Sequence, residues 1–315
     1  MNNKSNKIVS AIIVSVRESA YLYACLDSLK KQTHSVSEII VMDNSAGSKL
    51  SRGVAERYPE VRLYGNGENI FYGRALNIGI TNSHGDFLLC LNDDVRLTPC
   101  FVEQALEGFQ RDTSIGMVSG KILRSDGKII DSTGLFLNYC RAAKERGYGL
   151  KDTGQFEKTG FVFGVSGAVA FYRRKMLEAI KEGKDYFDAS FGMFYEDLDI
   201  AWRAQREGWK AFYIPSACAF HARGSSARSQ SAEKKWFARD ALNDALYAEL
   251  LKNRYLAIIK NESFAGFLMH LPGIIAYDCV AWIKCFLSRP QAAGIFLKNI
   301  KALQEAYTLR KRKKR

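Results

Sequence analysis

The sequence predicts an α/β protein with a mixed, mainly parallel sheet flanked by helices, and three observations carry that expectation. Apolar, β-branched runs alternate with helix-length segments through roughly the first hundred residues. Three of those runs end in polar residues: Ser15, Asp43–Asn44 and Asn92-Asp93-Asp94. Composition is that of a folded chain, with 47% hydrophobic and 25% charged residues. Strands separated by helices of about ten residues form parallel sheets, and such sheets keep their chemistry at the strands' carboxyl ends.

The elements follow in order. IVSAIIVSV (8–16) reads as a buried strand, followed by a helix through Leu22, Cys25, Leu26 and Leu29. EIIVMDN (38–44) is the second strand, and a short helix through Val54 and Tyr58 stops before Pro59. VRLY (61–64) is the third, and a helix through Ala75, Leu76 and Ile80 leads to GDFLLCLNDD (85–94). A helix starts near Pro99. IGMVSGKIL (115–123) and GKIIDSTGLFL (127–137) then read as strands of a mixed sheet. The segment 140–158 has three glycines and little periodicity, and so long a loop is functional or mobile. FVFGVSGAVAFYRR (161–174) is strand-like, with Gly164, Ser166, Gly167 and Ala168 small enough for a ligand to approach the backbone. Leu198, Ala201, Trp202 and Gln205 have helical spacing up to Gly208.

Several function classes drop out. The loop SVRESAY after the first strand carries neither GxGxxG nor GxxxxGK[ST], and Gly65 and Gly67 lack a third glycine, so hydride-transfer and P-loop readings fail. Seven scattered cysteines without CxxC spacing, most in apolar runs, read as reduced, buried thiols of a cytosolic protein. MNNKSNK has no apolar signal core, which argues against secretion. The net charge is +13, but the last fifteen residues hold seven basic residues and one acid. That tail favours an anionic surface over a nucleic-acid groove, and no recognition motif for nucleic acid is present.

Two acidic clusters carry the candidate chemistry. In an extended segment Asn92 and Asp94 face the same way and Asp93 points elsewhere. Oxygen ligands of this kind suit Mg²⁺ or Mn²⁺ together with substrate phosphates, although a solvated turn is the plainer alternative. Glu196 and Asp197 fall in the first turn of a helix, where acids also serve the helix dipole, and Asp199 with Arg203 is an i,i+4 pair. Taken together, the clusters suggest a metal site plus a general base. Beyond them, 232–261 reads as a long amphipathic helix. Residues 264–287 are apolar but broken by His270, Pro272, Asp278 and Lys284, which favours an interfacial helix pair over a membrane span. Helices that simply pack on the catalytic domain are the alternative.

The ordered set VSAIIVSV, CLDSLKKQ, EIIVMDNSA, ENIFYGRALNIGI, GDFLLCLNDDVRL, FYEDLDIAWRAQREGW and FHARGSS resembles the bacterial family 2 glycosyltransferases of the GT-A fold, over roughly residues 8–230. KIIDSTG, RAAKERGYGLKDTGQF and FGVSGAVAFYRR further resemble the subset that transfers L-rhamnose from dTDP-rhamnose in polysaccharide assembly. The resemblance implies a catalytic domain over 1–230, with a nucleotide-sugar half to about residue 98 and an acceptor half from about 99. A membrane-associating helical region would occupy 231–315. It places Asp43 on the nucleotide base and Asn92-Asp93-Asp94 on the family's DxD motif, with Asp94 holding metal and diphosphate. Asp197, beside Glu196, falls on the catalytic base, His221 near the metal, and Asn77 in the donor site. The first strand ends Ser15-Val16-Arg17 where the family often has Thr-Tyr-Asn, so Arg17 meets a phosphate or is a solvated cation. Asn92 replaces the first acid of DxD. The implied enzyme is inverting and metal-dependent, using Mg²⁺ or Mn²⁺. It takes a lipid-linked saccharide acceptor, as in O-antigen or cell-wall synthesis, on the cytoplasmic face of the membrane, with a homodimer left open. Another UDP, GDP or dTDP sugar is the alternative donor. A non-catalytic sugar-nucleotide binder and a basic nucleic-acid binder are the alternatives of other classes.

Overall fold

A computed structural model of the chain describes residues 7–45, 50–65, 67–223 and 242–313. Strand β1 (Val9–Ser15) is buried at every position, as befits a central strand covered on both faces. It pairs in parallel with β2 (Glu38–Asp43) and β4 (Phe87–Asn92), in a register that sets Ser15 beside Asp43 and Val14 beside Asn92. The three polar strand ends therefore meet on one edge. Beyond β2 lies β3 (Arg62–Gly65). A Cβ on Gly65 would sit 2.6 Å from the Asp43 carbonyl oxygen, so only glycine lets the strand end approach Asp43 this closely.

Alternation along β1 assigns the two helix layers. Val9, Ala11 and Ile13 pack with α1 (Ala20–Lys30), α2 (Leu50–Arg57) and α4 (Phe101–Gln110). Ile12 and Val14 face α3 (Tyr72–Thr81), α5 (Arg174–Ile180) and α6 (Glu196–Arg206). Helix α1 starts where Ser19 accepts the Leu22 N–H (3.2 Å), an N-cap that satisfies one otherwise orphaned donor.

The second half completes a mixed sheet with β5 (Val95–Leu97), β6 (Ile115–Arg124), β7 (Ile130–Ser132), β10 (Gly160–Val162), β11 (Val169–Arg173) and β12 (Lys210–His221). Its order is β10-β12-β6-β11-β4-β1-β2-β3, with β5 on β12 and β7 on β6. Since β11 is antiparallel to both β4 and β6, and β12 is parallel to β6, the carboxyl end of β12 lies on the same edge as Ser15, Asp43 and Asn92. A separate hairpin joins β8 (Leu135–Leu137) to β9 (Ala143–Glu145).

Several expectations are corrected here. Residues 127–137 break into β7 and β8, and 161–174 into β10 and β11, because Gly164 bridges to Leu135 of β8 and Gly167–Ala168 turn the chain back into the sheet. The segment 140–158 contains β9 and is pinned by Lys121 to Asp152 (3.1 Å) and by Arg146 stacked over Phe156 and Tyr213. All seven cysteines are free, but only Cys25, Cys90 and Cys285 are buried. The described part of the next helix, α7, runs only Asp244–Asn261 behind an Asn243 cap; residues 232–241 and the 230–231 boundary lie outside the described residues. It is not amphipathic: Lys252, Asn253, Arg254 and Asn261 are buried alongside Leu251 and Leu256. Helices α8 (Phe264–Ser288), α9 (Pro290–Lys298) and α10 (Ile300–Lys313) follow. Phe191, Tyr195 and Trp202 form one core with α7 and α9, so α7 packs on the α/β body beside α6.

Candidate active site

The four residues Asn92–Val95 span a turn between β4 and β5, so strand alternation does not apply to them. Both aspartates are buried, and they diverge. Asp93 accepts the Ser15 hydroxyl at 2.6 Å, tying the turn to the end of β1. Asp94 meets His221 at the end of β12, with Oδ1 and Nε2 3.0 Å apart. The other imidazole nitrogen, Nδ1, lies 2.8 Å from Asp131 Oδ2 on β7, and Arg223 donates to the second Asp131 oxygen. Burial opposes protonation of His221, yet its bonds to Asp131 and Asp94 raise its pKa to about 9. Burial likewise would raise Asp131, but His221 and Arg223 hold it at about 2. The imidazolium therefore neutralises the buried Asp94.

A second group of carboxyls lies across the same edge. Glu196 and Asp197 open α6, where the unsatisfied N–H groups favour negative charge. Asp197 accepts the Gly167 N–H (3.0 Å) and its neighbour's Leu198 N–H (2.8 Å). Tyr72 donates to the Gly167 carbonyl at 2.7 Å and so fixes that turn. Burial and the adjacent Asp197 charge push Glu196 up to about 8. Glu145, on β9, accepts from Ser166 (2.9 Å) and from Ser132, the residue after Asp131. Burial, then the charge of Asp197, pushes it up to about 8 as well. A continuous belt thus runs Asp94–His221–Asp131, Ser132–Glu145–Ser166, Gly167–Asp197.

The remaining expected residues divide. Asp43 is buried at the end of β2, with Oδ1 accepting the Ser45 N–H at 3.0 Å. Arg17 is exposed on the loop after β1, its carbonyl oxygen 2.9 Å from the Ser15 hydroxyl that donates to Asp93. Asn92 is half-buried, its N–H donated to Ala168 (3.1 Å). Asn77 does not join them. Its amide bonds the Phe187 carbonyl (2.8 Å) and the N–H groups of Tyr186 (3.1 Å) and Phe187 (2.8 Å), which makes it a clamp on 186–187. Sequence reasoning missed Asp131 and Glu145, which sit on three-residue strands without periodicity. It had only the motif KIIDSTG and the polar loop around Glu145 as pointers.

Once His221 gives up its Nε2 proton, which the bond from Nδ1–H to Asp131 would favour, Asp94 and His221 could together hold a divalent cation. Two neighbouring ligands of an octahedral ion at about 2.1 Å lie about 3 Å apart, the separation seen here. No cluster of three or more His, Cys, Asp or Glu with metal-binding geometry occurs among the described residues, so further ligands would come from substrate oxygens and water, as is usual for Mg²⁺.

Comparison with known proteins agrees with this layout. The model of "Glycosyl transferase family 2" matches residues 10–218. The N-acetylglucosaminyl-diphospho-decaprenol L-rhamnosyltransferase of Mycobacterium tuberculosis is 23% identical over 70% of this chain and 77% of its own length. Among solved structures, S. aureus TarS 1-349 in complex with UDP-GlcNAc superposes with a TM-score of 0.62 at 13% identity, over 95% of this chain and 81% of that one. GalNAc-T7 with UDP, GalNAc and Mn²⁺ gives 0.58 at 14% identity, over 80% of this chain but only 48% of that chain. These likenesses establish the GT-A fold. With the family model covering about two thirds of its length, the chain belongs to glycosyl transferase family 2.

Proposed function

We propose that the protein transfers a sugar from a nucleoside diphosphate to a lipid-linked saccharide with inversion, and that the sugar is L-rhamnose carried on dTDP. The observation that carries the reading is the placement of Asp197. Its carboxylate sits at a helix N-terminus, held by two backbone N–H groups, across a polar belt from Asp94. A carboxylate held by amides can take a proton without breaking an ion pair. Asp197 is the general base: it accepts the acceptor hydroxyl's proton as that oxygen attacks the anomeric carbon, and the nucleoside diphosphate departs from the opposite side. Glu196, neutral beside it, keeps a second charge away. Asp43 and Ser15 line the nucleotide end, and Arg17 stands on the neighbouring loop within the donor's half. A divalent cation on Asp94 and His221 would neutralise charge developing on the departing diphosphate.

The likeness to the mycobacterial L-rhamnosyltransferase supports the donor and the lipid-linked acceptor. Helix α8 supports a membrane-bound acceptor. It is long and apolar enough to cross a membrane by length and composition, but it lies against α7 and the β8–β9 hairpin. Its polar positions face inward, Asp278 to Arg254 and His270 to the Tyr139 ring. Phe264, Leu268, Ile275, Val280, Ile283 and Leu287 are exposed on the outside. A helix polar within and apolar without lies along a lipid surface, here the cytoplasmic face, with the basic residues from 310 onward adding attraction to anionic headgroups.

The test is a nucleotide-sugar screen that measures nucleoside-diphosphate release with a bacterial membrane-lipid fraction. dTDP-rhamnose turnover is expected, stopped by chelation and restored by Mn²⁺. D197N should bind nucleotide normally and lose transfer; normal turnover by D197N would overturn the base assignment.

A further inference from the structure

The dipeptide Lys-Asn occurs twice in α7, at 252–253 and 260–261, and the helix buries both asparagines instead of presenting them to water. Each pair meets the same stretch of chain, residues 188–199, which ends in the catalytic helix. Lys252 donates to the Ser190 carbonyl (3.3 Å), and Lys260 pairs with Asp188 and bonds the Ser190 hydroxyl (3.0 Å). Asn261 donates to Asp199 (2.8 Å), whose other oxygen holds Arg203 (2.8 Å). Asn253 makes the densest contact. Its side-chain nitrogen converges on three carbonyls: Phe191, Met193 (2.7 Å) and Phe194 (2.9 Å). Three acceptors around one atom identify it as the amide nitrogen.

What that nitrogen holds is strained. Phe194 and Tyr195 both adopt left-handed conformations, with φ of 74° and 70°, immediately before Glu196 and Asp197. Consecutive non-glycine residues in that region persist only when the surroundings impose it. Moreover, Asn253 Oδ1 is buried without a hydrogen-bond partner among the described residues. Asn253 itself lies outside residues 10–218, the part of the chain matched by the family model, whereas the turn it holds lies inside.

We infer that α7 is a splint for the catalytic base and that Asn253 is its positioning residue, fixing the strained 194–195 turn that aims Asp197. This rests on the assignment of Asp197 as base. N253A should keep nucleotide affinity and donor KM within about twofold of the parent. Misplacing the base by about an ångström would lower its kcat on the order of 10²-fold per nucleotide-binding site. Phe194→Gly, which adopts the left-handed turn without strain, should restore at least tenfold of that loss in the N253A background. The full chain is assayed, active sites are counted by nucleotide binding, and D197N is run in parallel. If N253A has parental kcat per site while D197N is dead, the splint inference fails and the base assignment stands. A kcat loss in N253A that glycine at 194 does not relieve also overturns it. Turnover by D197N removes the foundation of both.

Discussion

Exchanging Ile283 and Leu287 for serine tests the membrane reading of α8 without touching the site. The two residues are one helical turn apart on the outer face and are 61% and 81% exposed. Full burial of such a side chain stabilises by ~2 kcal/mol. Scaled by the exposed fractions, the pair contributes about 3 kcal/mol when that face enters the headgroup boundary, a partition difference of roughly 10²-fold. Since both side chains point away from the core, the thermal midpoint should hardly move. Co-sedimentation with vesicles of phosphatidylglycerol and phosphatidylethanolamine reads the partition coefficient directly. An I283S/L287S protein that binds these vesicles within about threefold of the parent would refute the argument, because the lost area would then not be what meets lipid. Loss of binding accompanied by a large fall in melting temperature would also count against it, since it would place the two side chains inside the fold.

Two other outcomes follow from buried groups near the site. Glu145 holds its proton to about pH 8 in the folded protein against a usual 4.5. Stability from this group is therefore complete below about pH 4.5 and lost as pH rises through about 8. E145Q keeps a neutral side chain throughout, so its melting temperature should fall less than the parent's between about pH 6 and about pH 9; parallel curves would show that Glu145 is ionised already. N77A should lose ~2–4 kcal/mol in urea unfolding, since the N–H groups of Tyr186 and Phe187 and the Phe187 carbonyl lose their shared partner. Its donor KM should stay unchanged, and a raised KM at parental stability would return Asn77 to the donor site.

Much of this architecture is written in local sequence. The burial pattern of VSAIIVS, the helical spacing in α1 and the polar strand ends each follow from neighbours in the chain, so the parallel half and both acidic clusters were legible. What was not legible depends on distant pairings. His221 meets Asp131 across ninety residues and Asn253 meets Phe191 across sixty-two, and no periodicity encodes either. The turn at 92–95 misled for a related reason: an apolar run continuing through Asn92 and Asp94 to Val95 reads as one strand, whereas the chain reverses to lay β5 on β12. Helix α7 was misread because its polar residues look like a solvated face until the partners that consume them are known.

Five carboxyls crowd the belt and its ends, and they are made tolerable in three ways. Asp94 faces an imidazolium; Asp131 faces that imidazolium and a guanidinium. Glu145 and Glu196 stay protonated near neutral pH. Asp197 is held by backbone amides. These differences support the proposed roles. Protonating Asp94 or Asp131 during a reaction would break a buried ion pair, which costs several kcal/mol. Glu145 and Glu196 already carry the proton a base must accept. As proposed, Asp197 can gain a proton while both amide bonds rearrange little, at the start of the helix that α7 packs against. On the proposed reading, the paired acids of FLLCLNDDVR bind and balance charge, and the base lies on α6, linked to them through hydrogen bonds along the sheet edge.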